Sequence, residues 1–524
     1  MNGDGHFLTL ADWTTPACRS TVKGVSTYCT RSSHFNLTIP HDARSFRSSD
    51  QVFVFIDPQR GHGFSDGRGS VPATVEVRAD GQSETAVEAD IEARYEKELE
   101  PLLQRANVGL MAAGLRDRGI GIYTWPLPPH LQLVSTELYP YPLLSFRIVL
   151  HVHPSSRVPT LRIDGSATDV GLFRSLSAEG RVNKTPHSLH RRELERGLEE
   201  RLPHVRLGHA VGLARAQQRE QRRQAAADPA AFPYFGIVKM TVGDGDLLVG
   251  GSTRIMGRMW ATTTDGKIDI ADDSTISAIE MHMEAGPGGI SIGKDVKMVA
   301  EDIVWIKSGA DLSLGAGTVV AGTRVTADVT TPAGKIRSGS DATQWRTNHT
   351  MVLNAHGGID AQLGISPPYR PLLGTGTEQR PWVQVDATSS SGAVRLRFTD
   401  HVKNTPLRAQ VTSDAGDADV ALNREFSGSF HVNSGKTDSV VTPPRDRSDG
   451  AGRDRVYSSE DRSGSSSSGK SKGKGNDKDA AAFDKSGEVW WKEHSKGTSH
   501  PEGENWGSIA IKAPSGTANL AFDA

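Results

Sequence analysis

Short runs with alternating apolar and polar positions cover most of this chain, and they recur at a nearly constant interval. In the first third, Phe35, Leu37 and Ile39, then Val52, Val54 and Ile56, then Val75 and Val77, then Val87, Ala89, Ile91, Ala93 and Tyr95 fall at period two. That alternation predicts strands with one buried face, arranged as an antiparallel sheet or sandwich. A helix is predicted from about 96 to 114, where apolar residues fall at helical spacing and Pro101 sits in the first turn. Further on, each run opens with a Gly or Ala followed by apolar residues at the second and fourth positions, as in DGKIDI, SGADLSL and SGAVRLRF. Taking Gly245, Gly266, Gly288, Ala310, Gly334, Gly357, Gly392 and Gly416 as equivalent points, the successive steps are 21, 22, 22, 24, 23, 35 and 24 residues. A step of this size means one supersecondary unit per repeat, and the alternation makes that unit a short strand. The predicted fold is all-β: a sheet region followed by a β-solenoid-like stack, with these glycines and Gly516 as its turn residues.

Composition shifts divide the chain further. Residues 1–32 read as a polar, flexible N-terminus, 33–180 as the sheet domain and 231–440 as the repeats. The 35-residue step contains PPYRPLLGTGTEQR (367–380), a surface loop by its proline content. Residues 441–504 are charged and low in complexity, which predicts a disordered insertion. Residues 505–524 resume the repeat pattern as a terminal cap on the stack. Segment 181–230 differs in kind: 181–228 holds ten Arg and four His, and it predicts a helical or disordered insertion. A second reading takes it as a shifted reading frame through Ser- and Gly-rich coding sequence, which mass spectrometry of the encoded peptide would refute.

The 60 Lys and Arg balance 62 Asp and Glu, so no global field favours nucleic acid or an anionic membrane. The Arg-rich segment offers a local route to nucleic acid or an acidic partner, offset by Glu193, Glu195, Glu199 and Glu200. No apolar run approaches 18 residues, so no membrane span is expected, and the first residues lack a secretory leader pattern. Localisation is not legible. Cys18 and Cys29 are the only cysteines, which removes a disulfide scaffold and a cysteine zinc site from consideration. They could close one small loop in an oxidising compartment.

Candidate chemistry is sparse, and no cofactor is called for. His151 and His153 stand two apart on a predicted strand, as a metal pair would, with no third ligand assignable. The GDGD run (243–246) and IADD (270–273) have the look of calcium turns but equally of ordinary turn chemistry. A cleft that cleaves acidic polysaccharides would draw on Asp269 or Asp273 with Arg254 and Arg258. Trp260, Trp305, Trp345 and Trp382 are candidate ligand contacts, since aromatics exposed on a repeat face stack on sugars or anchor partners.

The lines VWIKSGADLSL, VQVDATSSSGAVRLRF and GSIAIKAPSGTANLAF, with CTRSSHFNLTIP (29–40) and GIGIYTWP (119–126), resemble the adhesin-like β-solenoid domain of uncharacterised basidiomycete proteins. The resemblance covers about 33–175, 231–440 and the terminal coil. It implies a place at the cell periphery and carries no catalytic residues. The expectation is therefore a non-catalytic binding or structural protein that contacts cell-wall glycan or a surface protein. The alternatives are a polysaccharide-active β-helix enzyme and a nucleic-acid or acidic-partner binder acting through the Arg-rich segment.

Overall fold

A computed structural model describes residues 6–20, 27–39, 51–57, 72–112, 118–123, 144–165, 168–173, 233–339, 343–366, 382–402, 405–436, 439–445, 448, 453–461, 483–493 and 506–522. These residues are almost entirely strand. They fall into two compact units, one made of residues 1–236 with 252–254, the other of 237–251 with 255–524. The Arg-rich segment, the stretch TWPLPPH (124–130), whose prolines predict a connection, and the loop at 367–380 lie outside the described residues.

In the first unit the period-two runs form strands, and every apolar position named above is buried in its core. Thr27–Thr38, Ala86–Glu96 and Leu144–His151 pair antiparallel in that order. The rest corrects the expectation of a purely antiparallel sheet. Gln51–Asp57 runs parallel to both Arg118–Tyr123 and Arg157–Gly165, and Ala73–Arg78 runs parallel to both Leu144–His151 and Thr168–Leu172. Parallel neighbours need crossover connections rather than tight hairpins, and the chain between these strands is long enough to supply them.

The helix expected at 96–114 is mostly absent. A 3-10 turn, Lys97–Leu99, leads into Glu100–Arg105, with Pro101 in its first turn, and the chain then becomes the strand Asn107–Ala112. Gly109 explains the switch: it is a poor helix residue, and a side chain there would meet the Thr9 carbonyl oxygen at 2.2 Å, so it suits the close approach of His6–Leu10. The N-terminus is correspondingly less bare than its composition predicted. His6–Leu10 pairs with Asn107–Ala112, and Ala17–Ser20 pairs with Thr27–Thr38, where Cys18 and Cys29 face each other and are joined by a disulfide.

In the second unit two columns of parallel strands run side by side. Long strands Arg258–Thr263, Thr275–Ala285, Lys297–Ser308, Val319–Val329, Gln344–Ala355, Val383–Ser389 and Leu407–Ser413 pair each with the next. The strands that alternate with them, Ile268–Ile270, Ile290–Ile292, Leu312–Leu314, Ile336–Ser338, Ile359–Ile365, Val394–His401 and Ala418–Leu422, do the same. Each rung thus repeats the one before it, 21 to 26 residues earlier, except across the 367–380 loop, where the step is 34 to 36. Met281, Val304, Val325 and Met351 from the long column and Ile268, Ile290, Leu312 and Ile336 from the short one are buried throughout.

The turn between the columns is built from the repeat glycines. A Cβ on Gly266 would lie 1.9 Å from the Gly245 oxygen, on Gly288 2.3 Å from that of Gly266, on Gly392 1.9 Å from that of Gly357, and on Gly516 2.1 Å from that of Gly416. On Gly416 it would lie 2.6 Å from the Gly392 carbonyl carbon, and on Gly334 2.4 Å from Val329 Cγ1. Rungs only about 4.8 Å apart leave no room for a methyl group there. Buried hydroxyls close the same turns. Thr263 Oγ1 donates to the Gly245 oxygen and accepts from Gly266 N–H, and Ser413 Oγ donates to the Gly392 oxygen and accepts from Gly416 N–H.

Two features near the end of the chain differ from expectation. The low-complexity region contributes two strands, Arg453–Asp461 and Phe483–Glu493, which pair antiparallel with each other, while Phe483–Glu493 also pairs antiparallel with Gly428–Ser434. The adjacent Val456 and Tyr457 and the apolar VWW run (489–491) supply what the overall composition concealed. The terminal copy does not cap the stack. Gly507–Ala513 lies between Leu407–Ser413 and Gly428–Ser434, parallel to both. Ala518–Phe522 pairs in the same way with Ala418–Leu422 and Val440–Thr442.

Candidate functional site: a polar groove on the repeat unit

Outward positions of the short column stand in line. Asp269, Ser291, Ser313 and Arg337 are successive Cα partners, so their side chains project at one-strand intervals of about 4.8 Å. The turn at Thr331–Gly334 adds a wall, and together they enclose an open groove of about 830 Å³ that also includes Lys267, Asp311, Lys335 and Ser391. Its charges are mutually held. Lys267 Nζ donates to the Asp269 carboxylate, and Asp311 accepts the Lys335 backbone N–H at 2.9 Å while lying 3.5 Å from Arg337 Nη2. The groove therefore presents hydroxyls, carboxylates and cations in a repeating row with little net charge. Such a surface suits hydrogen bonding to a neutral or weakly charged extended chain.

The long column carries an aromatic row. Trp260, His282 and Trp305 are successive partners; their ring centroids lie 6.0 and 5.9 Å apart, at interplanar angles of 27° and 44°. The rings lean on one another along the stack, and the Arg258 guanidinium sits 5.7 Å from the Trp260 centroid while bonding Glu280 at 2.8 Å. Ring faces are thus partly spent on neighbours. The Trp382 ring is covered by Arg408 at 3.4 Å. Trp345 is fully buried and belongs to the core, which removes it from the candidate contacts.

The other sequence candidates are not brought together. Asp269 is held by Lys267 and Arg258 by Glu280, while Arg254 belongs to the first unit and lies on the Tyr234 ring. Asp273 occupies a turn with φ 58°. Asp246 and Asp272 each accept a backbone N–H from the following rung, that of Lys267 at 2.9 Å and that of Lys294 at 2.8 Å. Burial, together with a hydrogen bond shared with Asp265, pushes the Asp244 carboxyl up. Among the described residues no group of three or more His, Cys, Asp or Glu is arranged to hold a metal ion. His151 ends its strand, whereas His153 lies beyond it and accepts the Ser155 N–H.

One constellation had no sequence signal beyond His151. On the polar face of the first unit's sheet, His34 Nδ1 lies 2.7 Å from Asp90 Oδ1, Asp90 Oδ2 lies 3.1 Å from His151 Nε2, and His151 Nδ1 lies 2.7 Å from Asp80 Oδ1. Beside this chain, Glu76 is buried between Arg147, at 3.2 Å, and Arg78, whose Nε lies 3.1 Å away. His34, Asp90, His151, Arg78 and Arg147 border a groove of about 730 Å³. The hydrogen bond to Asp90 raises the His34 pKa. Burial alone would push the Glu76 carboxyl up, but the two guanidiniums outweigh it and hold the group below its ordinary value. Apart from Arg78 and Glu76, neighbours on one strand, these partners are 56 to 71 residues apart in sequence, so only the strand registers bring them together.

Residues 327–444 match a family model described as a domain of unknown function, DUF7330. This segment supplies Thr331, Lys335, Arg337 and Ser391 to the repeat-unit groove. No curated protein and no solved structure matches the chain.

Proposed function

We propose that this chain is a non-catalytic binding protein whose repeat unit is a β-solenoid, and that its groove recognises an extended glycan. The observation that carries this reading is the in-register row Asp269, Ser291, Ser313 and Arg337 within an open groove. Many weak polar contacts at a fixed interval suit a polymer of repeating hydroxyls. The carboxylates of Asp269 and Asp311 are each engaged by a cation, which favours binding over the acid–base work of a polysaccharide-cleaving enzyme. The resemblance of the repeats to adhesin-like fungal domains supports a role at the cell periphery, with cell-wall glycan as the ligand class and surface proteins as the rival one.

The test is a glycan and polysaccharide array with the full chain, followed by a search for shortened chains after incubation with any hit. Binding without cleavage, reduced at least tenfold by the groove-filling variant Ser313→Trp, is the expected result. Silence on all glycans, or binding that Ser313→Trp leaves unchanged, overturns the groove reading. Shortened products would establish the enzyme instead.

A further inference from the structure

The position of the terminal coil in the stack has a sequence counterpart. Arg408 and Ser429 are both Cα partners of Ser508, one on each side. They lie 21 residues apart in the chain, one repeat step. By the rule that orders every earlier rung, 428–442 would stack directly on 407–422. Instead 507–522 fills a slot between them. The two rivals follow one code, GSFHVNS at 428–434 and GSIAIKA at 507–513, aligned Gly to Gly and Ser to Ser.

Their backbone ladders continue one another as well. Ser434 Oγ donates to the Gly516 oxygen at 2.9 Å. Gly516 stacks on Gly416, its equivalent one rung below. Asn519 is likewise the partner of both Asp419 and Val440. With the terminal coil withdrawn, the edge left by 428–442 meets an edge of matching register on 407–422. The slot is therefore able both to open for a coil and to close without one, and 507–522 is a self-contained unit with apolar Ile509, Ile511, Leu520 and Phe522 on its buried side.

We propose that this coil is exchangeable between molecules: the slot between 407–422 and 428–442 accepts residues 507–522 of a second copy of this chain, giving coil-exchanged dimers. Residues 494–506 join the coil to strand Phe483–Glu493. Fully extended they reach about 45 Å, enough for the coil to enter a neighbouring molecule while that strand stays in place. The contacts are the same in either arrangement, so the balance is set by protein concentration against the effective concentration of the tether. This inference is independent of any ligand of the groove.

Asn433 and Lys512 are Cα partners on the outward side of the slot, at a separation suited to a disulfide. Full chains carrying Asn433→Cys alone and Lys512→Cys alone are mixed over a range of concentrations and oxidised. The expected result is a covalent heterodimer in the mixture only, growing with concentration. The double variant, closed within one chain, should stay monomeric where the native chain dimerises. A native chain that sediments as a monomer across the whole range overturns the proposal. So does a double variant that closes internally while the mixed single variants never join.

Discussion

The repeat glycines make a claim about space that one methyl group tests. Gly392 is the sharpest case, because a Cβ there would lie 1.9 Å from the Gly357 oxygen and 2.3 Å from its carbonyl carbon. An ordinary contact to that oxygen needs well over 3 Å, so Gly392→Ala must push two adjacent rungs apart by more than 1 Å. Neither backbone is free to move. Gly392 N–H is bonded to Ser389 Oγ at 3.1 Å, its carbonyl accepts from Ser413 Oγ at 2.9 Å, and Gly357 N–H bonds to the Gly334 oxygen at 2.8 Å. Losing or stretching one or two of these bonds costs about 1–3 kcal/mol, and overpacking strain adds a similar amount. The alanine also narrows the unfolded ensemble, which offsets about 0.4–1 kcal/mol. The expected net is a destabilisation of about 1–5 kcal/mol, seen as a fall of roughly 2–20 °C in the melting temperature of the repeat unit. Thermal denaturation followed by circular dichroism reads it. Gly322→Ala is the control, since its nearest contacts are 3.2 and 3.3 Å, and it should stay within about 1 kcal/mol of the native chain. A melting temperature for Gly392→Ala equal to or above the native value would refute close rung approach as the reason for glycine at this position.

Ser413→Ala removes the hydroxyl that serves the Gly392 oxygen and Gly416 N–H; a loss of about 1–2 kcal/mol in denaturant unfolding is expected. Glu76→Gln leaves Arg78 and Arg147 without their shared carboxylate, at a cost of about 2 kcal/mol at neutral pH. Because the folded state holds the Glu76 pKa below 4.5, its contribution is present above that value and is lost as pH falls below it, and the variant should lack this acid-side slope. His401 has the same sign for a different reason. Burial lowers its pKa below 6.5 while Nε2 donates to the Thr405 oxygen, so stability should fall as pH drops below 6.5, and less so in His401→Gln. His34 is opposite in sign: with its pKa raised above 6.5 by Asp90, its pairing stabilises below 6.5 and is lost as pH rises through the raised value, a dependence that melts of His34→Asn should lack.

Much of the strand pattern was legible because each strand needs only its own alternation to find a buried side. Val87, Ala89, Ile91, Ala93 and Tyr95 all reach the core of the first unit, and their partners do not alter that. The glycine spacing was legible for a related reason, since a turn that recurs at each rung repeats its steric demand. Partner choice was not legible. Nothing in the local pattern of Ala73–Arg78 distinguishes a parallel neighbour from an antiparallel one, and nothing near His34 points to Asp90 or His151. Trp345 illustrates a further limit: its period-two position gives it a side of the strand, but the buried side is settled by the rungs above and below, where Val320 and Leu363 are its partners. Gly109 outweighed helical spacing because one close backbone approach decided between two periodicities.

The order of the last rungs follows from the same reasoning. A parallel ladder joins backbone to backbone, so any segment with the right alternation and a Gly-containing turn can occupy any rung, and the code that builds the stack does not number its coils. Side chains supply the numbering. Asp417 accepts the Thr517 N–H at 2.8 Å, Asp419 accepts from Asn519 at 2.6 Å, and Phe522 packs edge-on against Phe430 and Tyr457 at 5.7 and 6.0 Å. These contacts favour 507–522 in the slot over direct closure by 428–442, and Tyr457 ties the choice to the antiparallel strands that follow. Those strands also stop growth. Arg453–Asp461, paired on one side with Phe483–Glu493, presents a charged, largely exposed sequence to the next position, which opposes addition of another strand. Growth at that edge is opposed, whereas the internal slot matches the 507–522 coil of a second copy as well as the chain's own, so the proposed coil exchange belongs at the slot rather than at the end of the stack.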